Sequence, residues 1–359
     1  MTVCYFGNYE PKYNRNRVII SGLKKNNVDV VECQEKYSVG IMHYFRLINK
    51  LKQLVKKQKI DLIIVGAIDF SRPLVILVKL FFRIPVVWDA FYSVYEARVY
   101  DRKWLSKRHP KAIMYYTLEW LCTKLADVVL LDTNQHINYF VKLFKVNSHK
   151  FLRVFVGADD ECLLPQALVE DLSEDVFLVV FYGNYSPLQG VEYIVKAAKI
   201  LEKYTDIKFK MVGNGQTYFT VKKIAEELVI KNVEFVDERV AYQTIINLIT
   251  ECRVGLGIFG ASHKTQCVIP NKVYEMVAMC KPVISADTPA IKELFTDRQD
   301  ILLCHTADAE DLAAKILELK NNLELRNKIA KAGYETFKIK AAPQVVVAQL
   351  LIDLKEKII

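Results

Sequence analysis

Apolar residues fall into two kinds of run along this chain. Short, β-branched runs occupy Thr2–Phe6, Val28–Cys33, Ile60–Val65, Ile84–Trp88, Asp127–Leu131 and Phe151–Val156, then Val176–Tyr182, Ile207–Val212, Val233–Val236, Arg253–Phe259, Pro282–Ser285 and Asp300–Cys304. They are continuous rather than alternating, as in strands covered on both faces. Between them apolar residues return at helical spacing: Phe45, Ile48, Leu51, Leu54 and Val55 within Ile41–Gln58, and Ile194, Val195, Ala198 and Leu201 within Val191–Tyr204. Leu312–Leu319 and Leu323–Tyr334 repeat the pattern among many Lys and Glu. Such alternation predicts parallel sheets with right-handed crossovers. Six strands in each half predict an α/β chain of two doubly wound, Rossmann-like domains facing across a cleft. Twelve strands do not fit a closed eight-stranded barrel.

The break is expected within Gly157–Glu174, where Asp159-Asp160-Glu161 and Pro165 interrupt the pattern. This gives domains at 1–165 and 166–340. A last apolar helix, Pro343–Ile359, follows Ala341-Ala342 and is expected to pack back on the first domain as segment 341–359.

Composition narrows the class. At 359 residues, 52% hydrophobic and 25% charged, the chain is globular rather than disordered. Its eight cysteines include no two within four residues of each other, which removes zinc-ribbon and CxxC redox motifs. Structural thiols in a reducing cytoplasm are expected. The N-terminus lacks the basic start and long apolar core of a signal peptide. Pro73–Trp88, interrupted by Lys79 and Arg83, is too short and charged to span a bilayer.

Charge is uneven. The net is 50 − 41 = +9; residues 1–165 hold 26 − 15 = +11 and residues 166–359 hold 24 − 26 = −2. The densest basic segment, Arg98–Lys111, interleaves Val99, Tyr100, Trp104 and Leu105, with Ile113, Met114, Tyr115, Tyr116 and Trp120 after it. An anionic membrane surface, with the protein peripheral on the inner face, fits this composition. So does an ordinary solvated face. Nucleic acid is not expected as a partner, because no nucleic-acid fold signature accompanies the charge.

In doubly wound sheets ligands bind at the carboxyl ends of strands. After the first strand comes Gly7 to Asn16, with a single Gly and no GxGxxG, which weighs against a dinucleotide enzyme. Arg15 and Asn16 are expected at the start of the following helix, aimed at the cleft. Asp89, after the fourth strand, is either a turn cap or a carboxylate facing a sugar or acceptor hydroxyl, with Ser93 close by. In the second half, Phe181–Gly190 and Val212–Gln216 are turns whose amides and following helix suit an anion. The stretch Gly257–Ile284 is the most informative. An irregular loop carries Lys264, Pro270 suits a first helical turn, and Lys272 and Glu275 stand three apart on one helix face. Two lysines at a helix start suit a diphosphate, and a carboxylate one turn deeper suits ribose hydroxyls. The alternative is a plain amphipathic helix with an ion pair.

The segments Phe181–Gly190, Lys210–Gly215, Val233–Val236, Ile269–Glu275, Lys281–Ile284 and Asp287–Leu294 together resemble the nucleotide-sugar domain of glycosyltransferase family 4, retaining enzymes of the GT-B fold. The resemblance covers roughly residues 176–340, and over 1–165 it is looser. It implies an N-terminal acceptor-side domain and a C-terminal nucleotide-sugar domain. Gly183, Asn184, Gln189, Gly213, Val236, Asn271, Lys272 and Glu275 are then expected to bind the donor, Gly7, Tyr9, Arg15, Asn16 and Ser93 to line the acceptor side, and Asp89, Lys264 and Lys272 to serve the reaction. The family's paired glutamates are reduced here to Glu275, the first falling on Cys267, and its basic pair falls near Asn184 and Gln189. Lys264 and Lys272 are the natural substitutes. The implied activity is transfer of a hexosyl-type sugar from a nucleoside diphosphate to a glycan or lipid-linked acceptor hydroxyl, with no metal and no cofactor beyond the sugar-nucleotide co-substrate. A nucleotide-sugar epimerase and a non-catalytic sugar-nucleotide binder are the alternatives.

Overall fold

A computed structural model of the protein describes residues 1–35, 40–67, 71–165, 176–238 and 240–358. Each of the twelve expected runs carries a strand. In the first half they are β1 (Thr2–Gly7), β2 (Asp29–Gln34), β3 (Leu62–Val65), β4 (Val86–Phe91), β5 (Val128–Leu131) and β6 (Phe151–Arg153). In the second they are β7 (Phe177–Tyr182), β8 (Ile207–Val212), β9 (Val233–Val236), β10 (Val254–Leu256), β11 (Val283–Ala286) and β12 (Leu302–Cys304). The first sheet runs β2-β1-β3-β4-β5-β6 and the second β12-β11-β10-β7-β8-β9, and every pairing is parallel. The central strands β3, β5 and β11 are buried throughout, while the edge strand β2 is partly exposed.

The chain divides into two compact units, Met1–Gly157 with Ala342–Ile359, and Ala158–Ala341. The first break thus precedes the expected 165/166 position, and residues 166–174 of the expected linker lie outside the described residues. Helix Pro343–Lys357 packs on helix Asn14–Lys25 of the first unit. The contact is close because Gly22 has no side chain: a Cβ there would meet the Pro343 carbonyl oxygen at 2.3 Å and Val347 Cγ2 at 2.4 Å. Asn26 Nδ2 donates to the Gln344 carbonyl at 2.8 Å and ties the same two elements.

Strand order locates the ligand ends of each sheet. In the second unit the order reverses between β7 and β10, so the crevice lies beyond their carboxyl ends, where Gly183 and residues 257–260 begin their loops. In the first unit the reversal falls between β1 and β3, beyond which stand Gly7 and Gly66.

Candidate functional site

The crevice of the second unit is built by turns that need glycine. Gly183 leaves β7 at φ +145°, and its N–H remains in the sheet, donating to Val212 O at 3.0 Å. Its contribution is therefore space rather than a hydrogen bond: a Cβ at Gly183 would stand 3.1 Å from Lys272 Nζ. Gly213 leaves β8 at φ +127°, and a Cβ there would meet the Gly183 carbonyl oxygen at 2.0 Å. Its N–H donates to Val236 O at 2.8 Å, which binds the ends of β7, β8 and β9 into one rim. Asn184 is exposed on that rim, its Oδ1 close against Gly215. The turn Pro187–Gln189 is held from the other side, since Phe259 N–H donates to Gln189 O at 2.9 Å and Thr265 Oγ1 to Leu188 O at 3.2 Å.

Lys272 enters this rim from below. It belongs to helix Asn271–Ala278, which Pro270 precedes as an extended cap rather than occupying its first turn. Its ammonium is almost sealed from solvent, donates to Gln189 Oε1 at 2.6 Å, and stands 3.6 Å from the centre of the Phe181 ring. Burial pushes its pKa well below the ordinary lysine value, and the nearby Glu275 charge opposes that only in part. Glu275 accepts a hydrogen bond from the Tyr182 hydroxyl at 2.6 Å. Burial, with Glu275 beside it, holds the Tyr182 hydroxyl protonated well above its usual pKa. Lys272 and Glu275 thus engage separate neutral partners, Gln189 and Tyr182. Lys264 sits half-buried on the short helical turn His263–Cys267 rather than in an irregular loop, and Cys267 Sγ is 3.6 Å from His263 Nδ1.

Gly183, Gln189 and Phe181 therefore surround the buried Lys272 ammonium, Glu275 stands one turn further along the same helix, and Gly213 and Val236 close the rim behind them. Sequence reasoning missed Phe181 and Tyr182. Their place as the last two residues of β7, directly before Gly183, was the signal.

The first unit departs from expectation. Asp89 turns to a partner inside the first unit. It is wholly buried, and both carboxylate oxygens accept from Arg15, at 3.0 Å each from Nε and Nη2. Burial raises its pKa even against that guanidinium. A buried carboxylate needs such a counter-charge. The β4 register shifts between Asp89 and Phe91, whose φ is +55°, next to the pair. The residues expected on the acceptor side are likewise occupied internally. Tyr9 donates to Glu32 Oε2 at 2.9 Å, Asn16 Oδ1 accepts from Tyr5 at 2.8 Å, and Ser93 donates to Glu119 Oε2 at 2.6 Å. Tyr9, Asn16, Ser93 and Gly7 are all buried. Glu119, not expected from sequence, organises the turn after β4, accepting also from Val94 N–H at 2.7 Å and Arg72 Nη2 at 2.8 Å.

A second buried cluster was also missed. His136 Nδ1 lies 2.7 Å from Asp132 Oδ1 and its Nε2 lies 3.6 Å from Glu96 Oε2. The Asp132-to-His136 spacing of one helical turn was its only trace in the sequence.

Residues 165–336, almost the whole second unit, match the family model described as Glycosyl transferases group 1. An uncharacterized glycosyltransferase of Methanocaldococcus jannaschii is 26% identical over 231 residues, 58% of this chain and 60% of that protein. An uncharacterized glycosyltransferase of Haemophilus influenzae is 25% identical over 287 residues, 79% of this chain and 73% of that protein. The chain thus spans about three-fifths of the first of these relatives and almost three-quarters of the second. The solved structure of Anabaena HepE with UDP-glucose superposes with a TM-score of 0.73 at 15% identity, covering 99% of this chain and 100% of that one. The fold is that of GT-B glycosyltransferases, and residues 165–336 carry the likeness to the group 1 glycosyl transferase model.

Proposed function

We propose that the protein transfers a sugar from a nucleoside-diphosphate donor to an acceptor hydroxyl, with retention of anomeric configuration. The observation that carries this reading is the buried Lys272 ammonium beside Gln189 and Gly183, one helical turn from Glu275. A buried ammonium whose Nζ, among the described residues, donates to a neutral side chain is costly, and an incoming anion offsets that cost. A diphosphate does so, and Glu275, oriented by Tyr182, accepts from the ribose hydroxyls. Asn271, Asn184, Gly213 and Val236 complete the donor side.

As the bond to the diphosphate breaks, the sugar becomes oxocarbenium-like and negative charge grows on the leaving group. Lys272, with Lys264 on the neighbouring turn, stabilises that charge more in the transition state than in the ground state, which is what accelerates transfer. The acceptor is a glycan or lipid-linked hydroxyl. Asp89 and Ser93 are given no contact with substrate, because their side chains are spent inside the first unit.

The test incubates the protein with UDP-, GDP- and ADP-sugars and hydroxyl acceptors, and follows release of the nucleoside diphosphate and the anomeric coupling of the product by NMR. Release with an unchanged anomer is expected. Cys267, standing where the resembled family has a glutamate, favours a second reading in which nucleotide binds without turnover. Binding with no release of nucleoside diphosphate would select it. Donor consumption without any acceptor would instead mark an epimerase.

A further inference from the structure

Helix Pro110–Leu125 of the first unit has an outward face that is not polar. Ala112, Glu119, Cys122 and Thr123 point inward, whereas Ile113, Met114 and Trp120 are exposed. Just before the helix the chain folds back, Trp104 N–H donating to Arg98 O at 2.8 Å, and this leaves Trp104 55% and Ile113 54% exposed. An ordinary surface helix carries charged residues in such places.

Charge surrounds these rings, and it has one sign. Arg102 lies 4.6 Å from the Trp104 ring centre, Lys107 5.0 Å from Tyr100 and Lys124 5.9 Å from Trp120. Lys103, Lys107, Arg108, Lys111 and Lys124 are exposed, whereas Asp101 and Glu119, the two carboxylates between residues 98 and 125, are buried.

We propose that the face bearing Trp104, Ile113, Met114 and Trp120 docks on an anionic lipid bilayer. Indole rings settle at headgroup depth, and lysines and arginines beside them reach lipid phosphates. A second copy of this chain, meeting the face symmetrically, would set basic residues against basic residues. A neutral apolar partner would leave the cations without counter-charge. No described helix is long and apolar enough to cross a membrane, so the contact is made from the surface. The inference is independent of the transfer chemistry.

The full chain is floated with vesicles of phosphatidylcholine alone and of phosphatidylcholine with phosphatidylglycerol, at low and high salt. Retention on the anionic vesicles at low salt is expected to exceed that on neutral ones by at least about tenfold and to fall at high salt. Lys107→Ala and Arg108→Ala should each cut partitioning about fivefold. Trp104→Ala with Trp120→Ala should abolish the blue shift of tryptophan emission on vesicle addition. The lysine and arginine variants carry the test alone should the tryptophan variant melt early. Equal retention on both vesicle types, retention indifferent to salt, or no retention would overturn the proposal. So would a dimer in sedimentation velocity that the tryptophan variant dissolves.

Discussion

Arg15 and Asp89 form a doubly hydrogen-bonded ion pair with no solvent exposure on either side chain. The same guanidinium donates from Nη1 to the carbonyls of Val154 and Phe155, at 2.5 and 3.2 Å. One side chain thereby joins the first helix, the end of β4 and the segment after β6. Asp89→Asn leaves a buried guanidinium uncompensated and should cost about 3–5 kcal/mol, read as a lowered urea midpoint. Nucleotide affinity should be unchanged below the new transition. A variant as stable as wild type but without turnover would return Asp89 to substrate handling.

Lys272→Met separates stability from function. It removes a buried charge that folding desolvates and replaces it with a side chain of similar length. The unliganded variant should melt no lower than wild type. Turnover should fall about 10²-fold, the loss typical of removing one donor to a developing negative charge. Wild-type turnover in the variant would remove the lysine from the reaction.

Proton linkage follows from the same residue. The free site holds the Lys272 pKa below its ordinary value, and a bound diphosphate would raise it. Nucleotide binding should therefore take up a proton between the two values. Affinity should fall as pH rises through that window and stay level below it. Calorimetry in buffers of different ionisation enthalpy reads the uptake directly, and none is expected for Lys272→Met. Equal uptake by both proteins would contradict the assignment.

His136 supplies a pH dependence of stability. Burial alone would lower its pKa, but Asp132 and Glu96 outweigh this and raise it from 6.5 to about 9. Its contribution is fully present below pH 6.5 and is lost as pH rises through about 9. The shift corresponds to roughly 3 kcal/mol. His136→Phe should lose less stability than wild type between pH ~6 and ~10 in urea titrations. Equal losses in the two proteins would show that the imidazole is neutral in the fold.

Much of the fold was legible from periodicity, because strands covered on both faces leave continuous apolar runs. The return of the C-terminal helix rested on its apolar pattern, and its close seat depends on the absence of a side chain at Gly22. The residues that cluster around Lys272 were legible because they are consecutive with strand ends and a helix start. The first unit was not. Whether a polar residue after a strand faces a ligand or a buried partner depends on residues far away in sequence. Asp89 is 74 positions from Arg15, and Ser93 is 26 positions from Glu119. Local spacing carries no record of such pairings.

Titration calorimetry of wild type and Lys272→Met with UDP, GDP, ADP, CDP and dTDP tests the buried-ammonium site most directly. At least one diphosphate should bind wild type, and the variant should bind it about 10²-fold more weakly, as expected when a charged partner is lost from a buried contact. Binding of equal strength by both proteins would contradict the account.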